Sequence, residues 1–302
     1  MYIIIGDLYD PFCSQVNEFL KAQNRLALLI SNPLLDPCSF EWRLDNEESK
    51  SRLVWNGETF FDHEIEAVFV RTFGWIDPAG WQKDDLAYMQ SETHAALLAW
   101  LWSLHCPVVN RFPADIWYRP KPPLLFWQPL LRRSGLSIAE TLITNVPEEA
   151  NNFRQQLSSF GVGGAVYNSL TTELSYLVTE PEEWNGIKRM QKHTPVCFSA
   201  PHREPYFVCI VGDQVIWNDR SSPNMKTFEP LLRAFAKIAG LTFVELALAS
   251  GINGFDVIAV DPYPKWDHFG NVARQQIVEN IITLLQQKKS TKKTASALNT
   301  FL

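Results

Sequence analysis

Gly254-Phe255-Asp256-Val257-Ile258-Ala259-Val260-Asp261-Pro262-Tyr263-Pro264-Lys265-Trp266 is the stretch on which the reading of this chain turns. It reads as a strand, and Leu241-Thr242-Phe243-Val244-Glu245-Leu246-Ala247 reads as the strand before it. Side chains two apart on a strand share a face, so Glu245 stands on the side of Ala247. Three carboxylates belong to this pair: Glu245, Asp256 and Asp261. They are candidates for holding a metal ion, since Mg²⁺ takes oxygen ligands and usually one or two carboxylates. A hydrogen-bonded or solvated carboxylate is the plainer reading of each.

Around that strand pair the chain has the make-up of an ordinary globular protein. Its 302 residues are enough for two or three packed units or one large α/β domain. Hydrophobic residues make up 46% and charged residues 20%, which excludes a disordered chain. The net charge of −6 gives no reason to expect nucleic acid as a partner. No apolar run is long enough to cross a bilayer, and Met1-Tyr2-Ile3-Ile4-Ile5 lacks a basic leader and reads as a first strand. The five cysteines (Cys13, Cys38, Cys106, Cys197, Cys209) share no Cys-x-x-Cys spacing, which suits buried thiols and a cytoplasmic location. The histidines are scattered without a pair at ligand spacing, so a zinc site is not expected. Most of the eleven tryptophans read as core, the remainder as candidates for a peptide or partner groove.

Periodicity divides the chain into an N-terminal α/β domain (1–110), a central subdomain (111–190), a C-terminal subdomain (191–288) and a basic tail (289–302). In the first, strands are expected at Tyr2–Ile5, Leu26–Ile30 and Ala67–Arg71, with helices over Ser14–Ala22 and Asp84–Leu104. The second helix shows a nearly continuous apolar stripe. Asn56-Gly57 signals a tight hairpin within Leu53–Phe60. In the second, a helix over Leu124–Ser134 ends at Gly135, another spans Pro147–Leu157, and Gly164–Asn168 and Leu174–Thr179 form an antiparallel layer. Gly161-Val162-Gly163-Gly164 lacks the Lys-Ser/Thr of a phosphate loop and reads as a flexible turn. The third holds strands at Pro195–Phe198, Phe207–Val211 and Gln214–Trp217, helices over Phe228–Ala239 and Gln275–Gln287, and the strand pair quoted above.

In this order the motifs resemble the ATP-grasp superfamily, specifically the branch of ribosomal-protein glutamate ligases and microviridin-type peptide ligases. Val108-Val109-Asn110-Arg111, Lys121, Ser134-Gly135-Leu136 and Thr141-Leu142-Ile143-Thr144-Asn145 carry the likeness, together with the closing strand, which in the family reads apolar-Leu-Glu-Val-Asn-Pro-x-Pro. The resemblance implies an ATP-grasp fold: an N-terminal open α/β domain followed by two α+β units. It also implies where ATP and Mg²⁺ would be held. Lys121 matches a phosphate-contacting lysine, and Asp219-Arg220 loosely matches a later family element. The metal-binding Glu falls on Ala259, the Asn on Asp261 and a further Asp on Ala247. A second phosphate lysine falls on Tyr167, the adenine-binding hinge on Phe198-Ser199, and an arginine clamp on Phe207. Tyr cannot supply a permanent positive charge, and Ala offers a metal nothing.

One charge-assisted hydrogen bond in an organised site is worth roughly 1.5–3 kcal/mol. Losing a lysine, an arginine and two metal ligands forfeits on the order of 6 kcal/mol, about four decades of affinity or rate. The expectation is therefore a catalytically degenerate ATP-grasp protein that binds a peptide or protein, as a homodimer or beside an active ligase, without a cofactor. The alternative is an active carboxylate–amine ligase using ATP, with Lys121 on phosphate and Glu245, Asp256 or Asp261 on Mg²⁺. Arg71 and Trp75 are the candidate partner contacts, in Val70-Arg71-Thr72-Phe73-Gly74-Trp75. As such a contact, Arg71 would matter to association and little to melting temperature; as a salt-bridged structural residue, the reverse.

Overall fold

The structure, a computed structural model, describes residues 1–287 except 36, 47–48, 72–75, 77, 120, 160–163, 173, 203, 220–222 and 252–253. Trp75, Arg220, most of the glycine-rich turn and the basic tail lie outside the described residues. The chain forms two compact units, one built on Met1–Val109 and the other on Asn110–Asn280, with the final helix passing to the first unit from Ile281.

The first unit begins β1 (Tyr2–Ile5), α1 (Pro11–Ala22), β2 (Ala27–Ile30), followed by β3 (Ser39–Leu44), β4 (Ser49–Trp55) and β5 (Glu58–Phe61). It continues with β6 (Ala67–Val70), α2 (Lys83–Ser103) and β7 (Val108–Val109). A parallel sheet runs in the order β2-β1-β6-β7. β1 and β6 are buried at every residue, which accounts for their unbroken apolar runs. α1 starts three residues before the expected Ser14, because Asp10 caps it by accepting from the Phe12 amide at 2.9 Å and Pro11 fits the first turn. Gly6 follows β1 where a Cβ would collide with Cys13 Sγ on α1, so only glycine lets strand and helix approach so closely.

The second sheet of this unit, β3-β4-β5, is antiparallel. Its β4–β5 turn has Asn56 at φ 50° and Gly57 at φ 80°, the left-handed pair that matches strand twist. β3 goes beyond the expected hairpin; its alternation was present in Ser39-Phe40-Glu41-Trp42-Arg43. The stripe expected along α2 is not realised: Leu97, Trp100 and Leu101 are buried, whereas Tyr88 is 67% and Trp102 55% exposed. Only the end of the helix reaches the antiparallel sheet, where Trp100 meets Phe40 edge-on and donates to Ser51 Oγ at 3.0 Å.

The second unit runs α3 (Ala114–Trp117), α4 (Leu124–Ser134), β8 (Ser137–Ile138), β9 (Thr141–Thr144), α5 (Pro147–Ser159), β10 (Ala165–Asn168) and β11 (Ser175–Val178). Then come α6 (Pro181–Met190), β12 (Val196–Ser199), β13 (Tyr206–Val211), β14 (Gln214–Trp217) and α7 (Glu229–Ala239). β15 (Phe243–Gly251), β16 (Gly254–Asp261) and α8 (Asn271–Gln286) complete the described chain. Two sheets form, in the orders β11-β10-β12-β9 and β14-β13-β15-β16-β8. α4 ends at Gly135, at φ 80°, as its sequence predicts. α6 went unread in the sequence, although Pro181, two glutamates in its first turn and Lys188-Arg189 in its last mark both ends.

Asn110 sets the start of β15. It is 1% exposed. Its Oδ1 accepts from the amides of Thr242 (2.9 Å) and Phe243 (2.7 Å) and from the Thr242 hydroxyl, and its Nδ2 donates to the Phe243 carbonyl. One side chain thus supplies the backbone partners that a neighbouring strand would otherwise give.

Candidate functional site

A cleft of about 530 Å³ in the second unit draws its walls from both sheets. Asn168, Ser169 and Ser175 come from the β10–β11 hairpin region, and Phe207, Glu245 and Ala259 from β13, β15 and β16. Pro122, Pro123 and Leu124, at the start of α4, close one side.

The register of the floor decides what it presents. β15 and β16 are antiparallel, with Glu245 opposite Asp261 and Ala247 opposite Ala259. Phe207 on β13 lies opposite Ala247 from the other side. The middle of the floor is thus methyl groups and a phenyl ring, with two carboxylates toward one end. A register shift follows at Ala247/Leu248, and Asp256 lies beyond it. Asp256 accepts from Ser137 Oγ at 2.6 Å and is not part of the cleft lining. The three carboxylates of the sequence reading are therefore separated: Glu245 and Asp261 share the cleft and Asp256 does not.

Glu245 is 3% exposed, which without partners would cost several kcal/mol in its ionised form. Partners are supplied by the segment after β16. The Lys265 amide donates to Oε2 at 2.9 Å, and His268 Nδ1 lies 2.6 Å from Oε1. The imidazole is stacked on Phe207, 3.8 Å between centroids and 19° from coplanar. Asp261 accepts from the Tyr263 amide at 2.8 Å, with Lys265 Nζ 3.9 Å from its second oxygen. Among the described residues no group of three His, Cys, Asp or Glu side chains is placed to hold a metal ion.

The other positions named from the sequence are distributed as follows. Lys121 is exposed and outside the cleft lining, although the three residues after it are part of the wall. Tyr167 packs against Tyr176 (5.0 Å) and Phe198 (6.4 Å) at the edge of a buried cluster. Phe198 is fully buried, and Ser199 accepts from Asn168 Nδ2 at 2.9 Å. Arg71, in the first unit, is 8% exposed, paired through Nε with Asp10 Oδ2 at 2.8 Å, and lies over the Phe12 ring. That is the salt-bridged arrangement, which anchors β6 to the cap of α1.

Sequence reasoning missed Lys265 and His268. Lys265 is part of the quoted stretch, but only the fold brings its amide to Glu245. His268 is 23 residues from Glu245, with no spacing rule to connect them.

No family model matches the chain, and no curated protein matches it. Solved structures do. The macrocyclase MdnC from Microcystis aeruginosa MRC, bound with precursor peptide MdnA, superposes with a TM-score of 0.72 at 17% identity, over 93% of this chain and 99% of that one. A RiPP-associated ATP-grasp ligase from Chryseobacterium gregarium, in complex with ADP and a leader and core peptide, gives 0.71 at 14% identity, over 94% and 96%. The ATP-grasp ligase PsnB, complexed with minimal precursor, Mg and ADP, gives 0.69 at 17% identity, over 95% and 98%. At such identities the likeness carries the architecture and nothing finer: this chain has the ATP-grasp fold, in the arrangement that these peptide-associated ligases share.

Proposed function

We propose that this protein is a peptide-binding member of the ATP-grasp fold whose cleft does not run metal-dependent ATP chemistry. The observation that carries the reading is the Ala247–Ala259 pair at the centre of the cleft floor. Two methyl groups face each other where the resemblance would have oxygen ligands. Of the two carboxylates in the cleft, Glu245 has both oxygens engaged by Lys265 N–H and His268, and Asp261 accepts from the Tyr263 amide with Lys265 Nζ 3.9 Å from its second oxygen. A Mg²⁺ that keeps near-octahedral oxygen coordination would have to displace those partners. With these partners in place the cleft carboxylates do not fit Mg²⁺. Peptide binding rests on the fold, shared with ligases solved bearing precursor or leader and core peptides.

A second reading is favoured by one observation. Lys265 and His268 bring basic groups to the cleft that the aligned positions lack, and Glu245 and Asp261 are cross-strand neighbours. In an active carboxylate–amine ligase with a rebuilt site, these four would do the work of the missing groups.

Calorimetric titration of ATP with Mg²⁺ into the purified protein separates the two readings. The degenerate cleft should bind more weakly than about 1 mM, only ~4 kcal/mol. Micromolar, metal-dependent binding would overturn it in favour of the rebuilt ligase.

A further inference from the structure

Strand register brings small and apolar side chains together on the cleft floor of the second unit. Residues directly opposite each other across an antiparallel pair share a face. Ala247 and Ala259 are so placed on β15 and β16, with Phe207 of β13 opposite Ala247 on its other side. The two alanines differ in exposure: Ala247 is 6% exposed, whereas Ala259 is exposed and lines the cleft. Leu124 at the start of α4, Leu174 before β11 and Pro205 before β13 face the same space.

The polar groups of the lining are spent on the protein itself. Asn168 Nδ2 donates to Ser199 Oγ at 2.9 Å and to the Val166 carbonyl at 3.2 Å. Ser169 Oγ accepts from the Thr171 and Thr172 amides, and Thr172 Oγ1 accepts from the Leu174 amide. The four titratable residues of the lining are set against one another, Glu245 against His268 and Asp261 against Lys265. A charged ligand group would thus enter beside both signs and give up its water for a floor of methyl groups, which disfavours it.

Size adds a second argument. At about 530 Å³ the cleft is within the usual range of ligand pockets, with room for one large side chain and its adjoining backbone. Burying a leucine or phenylalanine side chain there favours binding by about ten- to a hundredfold over leaving it in water.

We infer that the cleft seats an uncharged, apolar peptide side chain of leucine or phenylalanine size against Ala247, Ala259 and Phe207. Ala259 is then the specificity-determining residue, because a larger side chain at that exposed position would project into the space the ligand needs. The inference rests on the peptide-binding reading above and adds the class of side chain that the cleft selects.

Methyl NMR on the full chain, labelled at alanine, tests it. The probes are peptides blocked at both ends, Gly-Ser-X-Ser-Gly with X as leucine, aspartate or lysine, and adenosine as a flat apolar ligand of another class. The leucine peptide should shift the Ala247 and Ala259 methyls saturably and bind about tenfold or more tighter than either charged peptide. Ala259→Leu should weaken the leucine peptide by about tenfold at an unchanged melting temperature, with the Ala247 methyl as the remaining reporter. Leu124→Ser, which alters the opposite wall and leaves the strands alone, should weaken it several-fold. Equal binding of the three peptides, preference for a charged one, no saturable shift, shifts confined to other methyls, or undiminished binding by both variants would overturn the inference. Tighter binding of adenosine at the same methyls would overturn it in favour of a nucleobase site. Titration of ATP with Mg²⁺ is read separately. Tight ATP binding beside an intact leucine preference would sink the degenerate-cleft reading and leave this inference standing; weak ATP binding with no preference would do the reverse.

Discussion

The two ends of one stretch of β15 differ in how tightly their surroundings define them. At Thr242 and Phe243 the strand is held by Asn110, which is buried and bonded to four separate groups of the backbone, one of them the Pro262 carbonyl, and one hydroxyl. At Ala247, a few residues on, the same strand offers the cleft a methyl group opposite another methyl group. A frame can be over-determined by buried hydrogen bonds while the surface it carries stays free to vary, because an error in the frame costs stability and one at the surface costs only activity. The shared architecture is evidence about folding and not about turnover.

Breaking the clamp should have the largest effect. Asn110→Ala strands the Thr242 and Phe243 amides and the Phe243 carbonyl in the interior, at ~1–3 kcal/mol for each buried group left unmet. A loss of about 3 kcal/mol or more is expected in urea unfolding, with a clear drop in melting temperature. A loss below about 1 kcal/mol would show that water reaches these groups and that the clamp is not what holds β15.

Arg71 sharpens the comparison within the first unit. Its ion pair with Asp10 is mostly buried, and breaking such a pair leaves a charge stranded at 3–5 kcal/mol in fully buried cases. Asp10 keeps its bond to the Phe12 amide at the helix start, so about 2 kcal/mol is expected for Arg71→Ala. Lys121→Ala, at an exposed position, should fall within about 0.5 kcal/mol of wild type. A normal melting temperature for Arg71→Ala combined with weakened association would establish Arg71 as a partner contact.

The cleft itself should tolerate change best. Glu245→Gln keeps an acceptor for the Lys265 amide and sets an amide against His268, so about 1 kcal/mol of stability should be lost. The structural consequence to check is a shift of the His268 ring resonances, as the imidazole loses its carboxylate while Phe207 still stacks on it. A loss comparable to that of Asn110→Ala would mean the cleft floor is as tightly determined as the clamp.

Much of the architecture was legible in the chain because it depends on local rules. Asn56-Gly57 dictated its turn, Gly135 its helix end, and the unbroken apolar runs at Tyr2–Ile5 and Ala67–Val70 a buried parallel sheet. Where elements were misread, competing context was responsible. The α2 stripe met a sheet only over its last turns, and α1 began at Pro11 because Asp10 caps it there.

Ala247, Ala259, Tyr167 and Phe207 could be singled out in the sequence, because each is a question of residue type at a position that the resemblance marks. What surrounds them in the fold could not be. Asp256 and Asp261 are five residues apart on one strand, yet only Asp261 lines the cleft, and Asp256 is bonded to Ser137 at the far end of the strand. His268 reaches Glu245 through a turn whose path no spacing encodes. Residue types follow from the sequence alone; which polar atoms meet follows from register, bulges and burial, since an interior carboxylate must be satisfied by whatever donor the completed fold brings within reach.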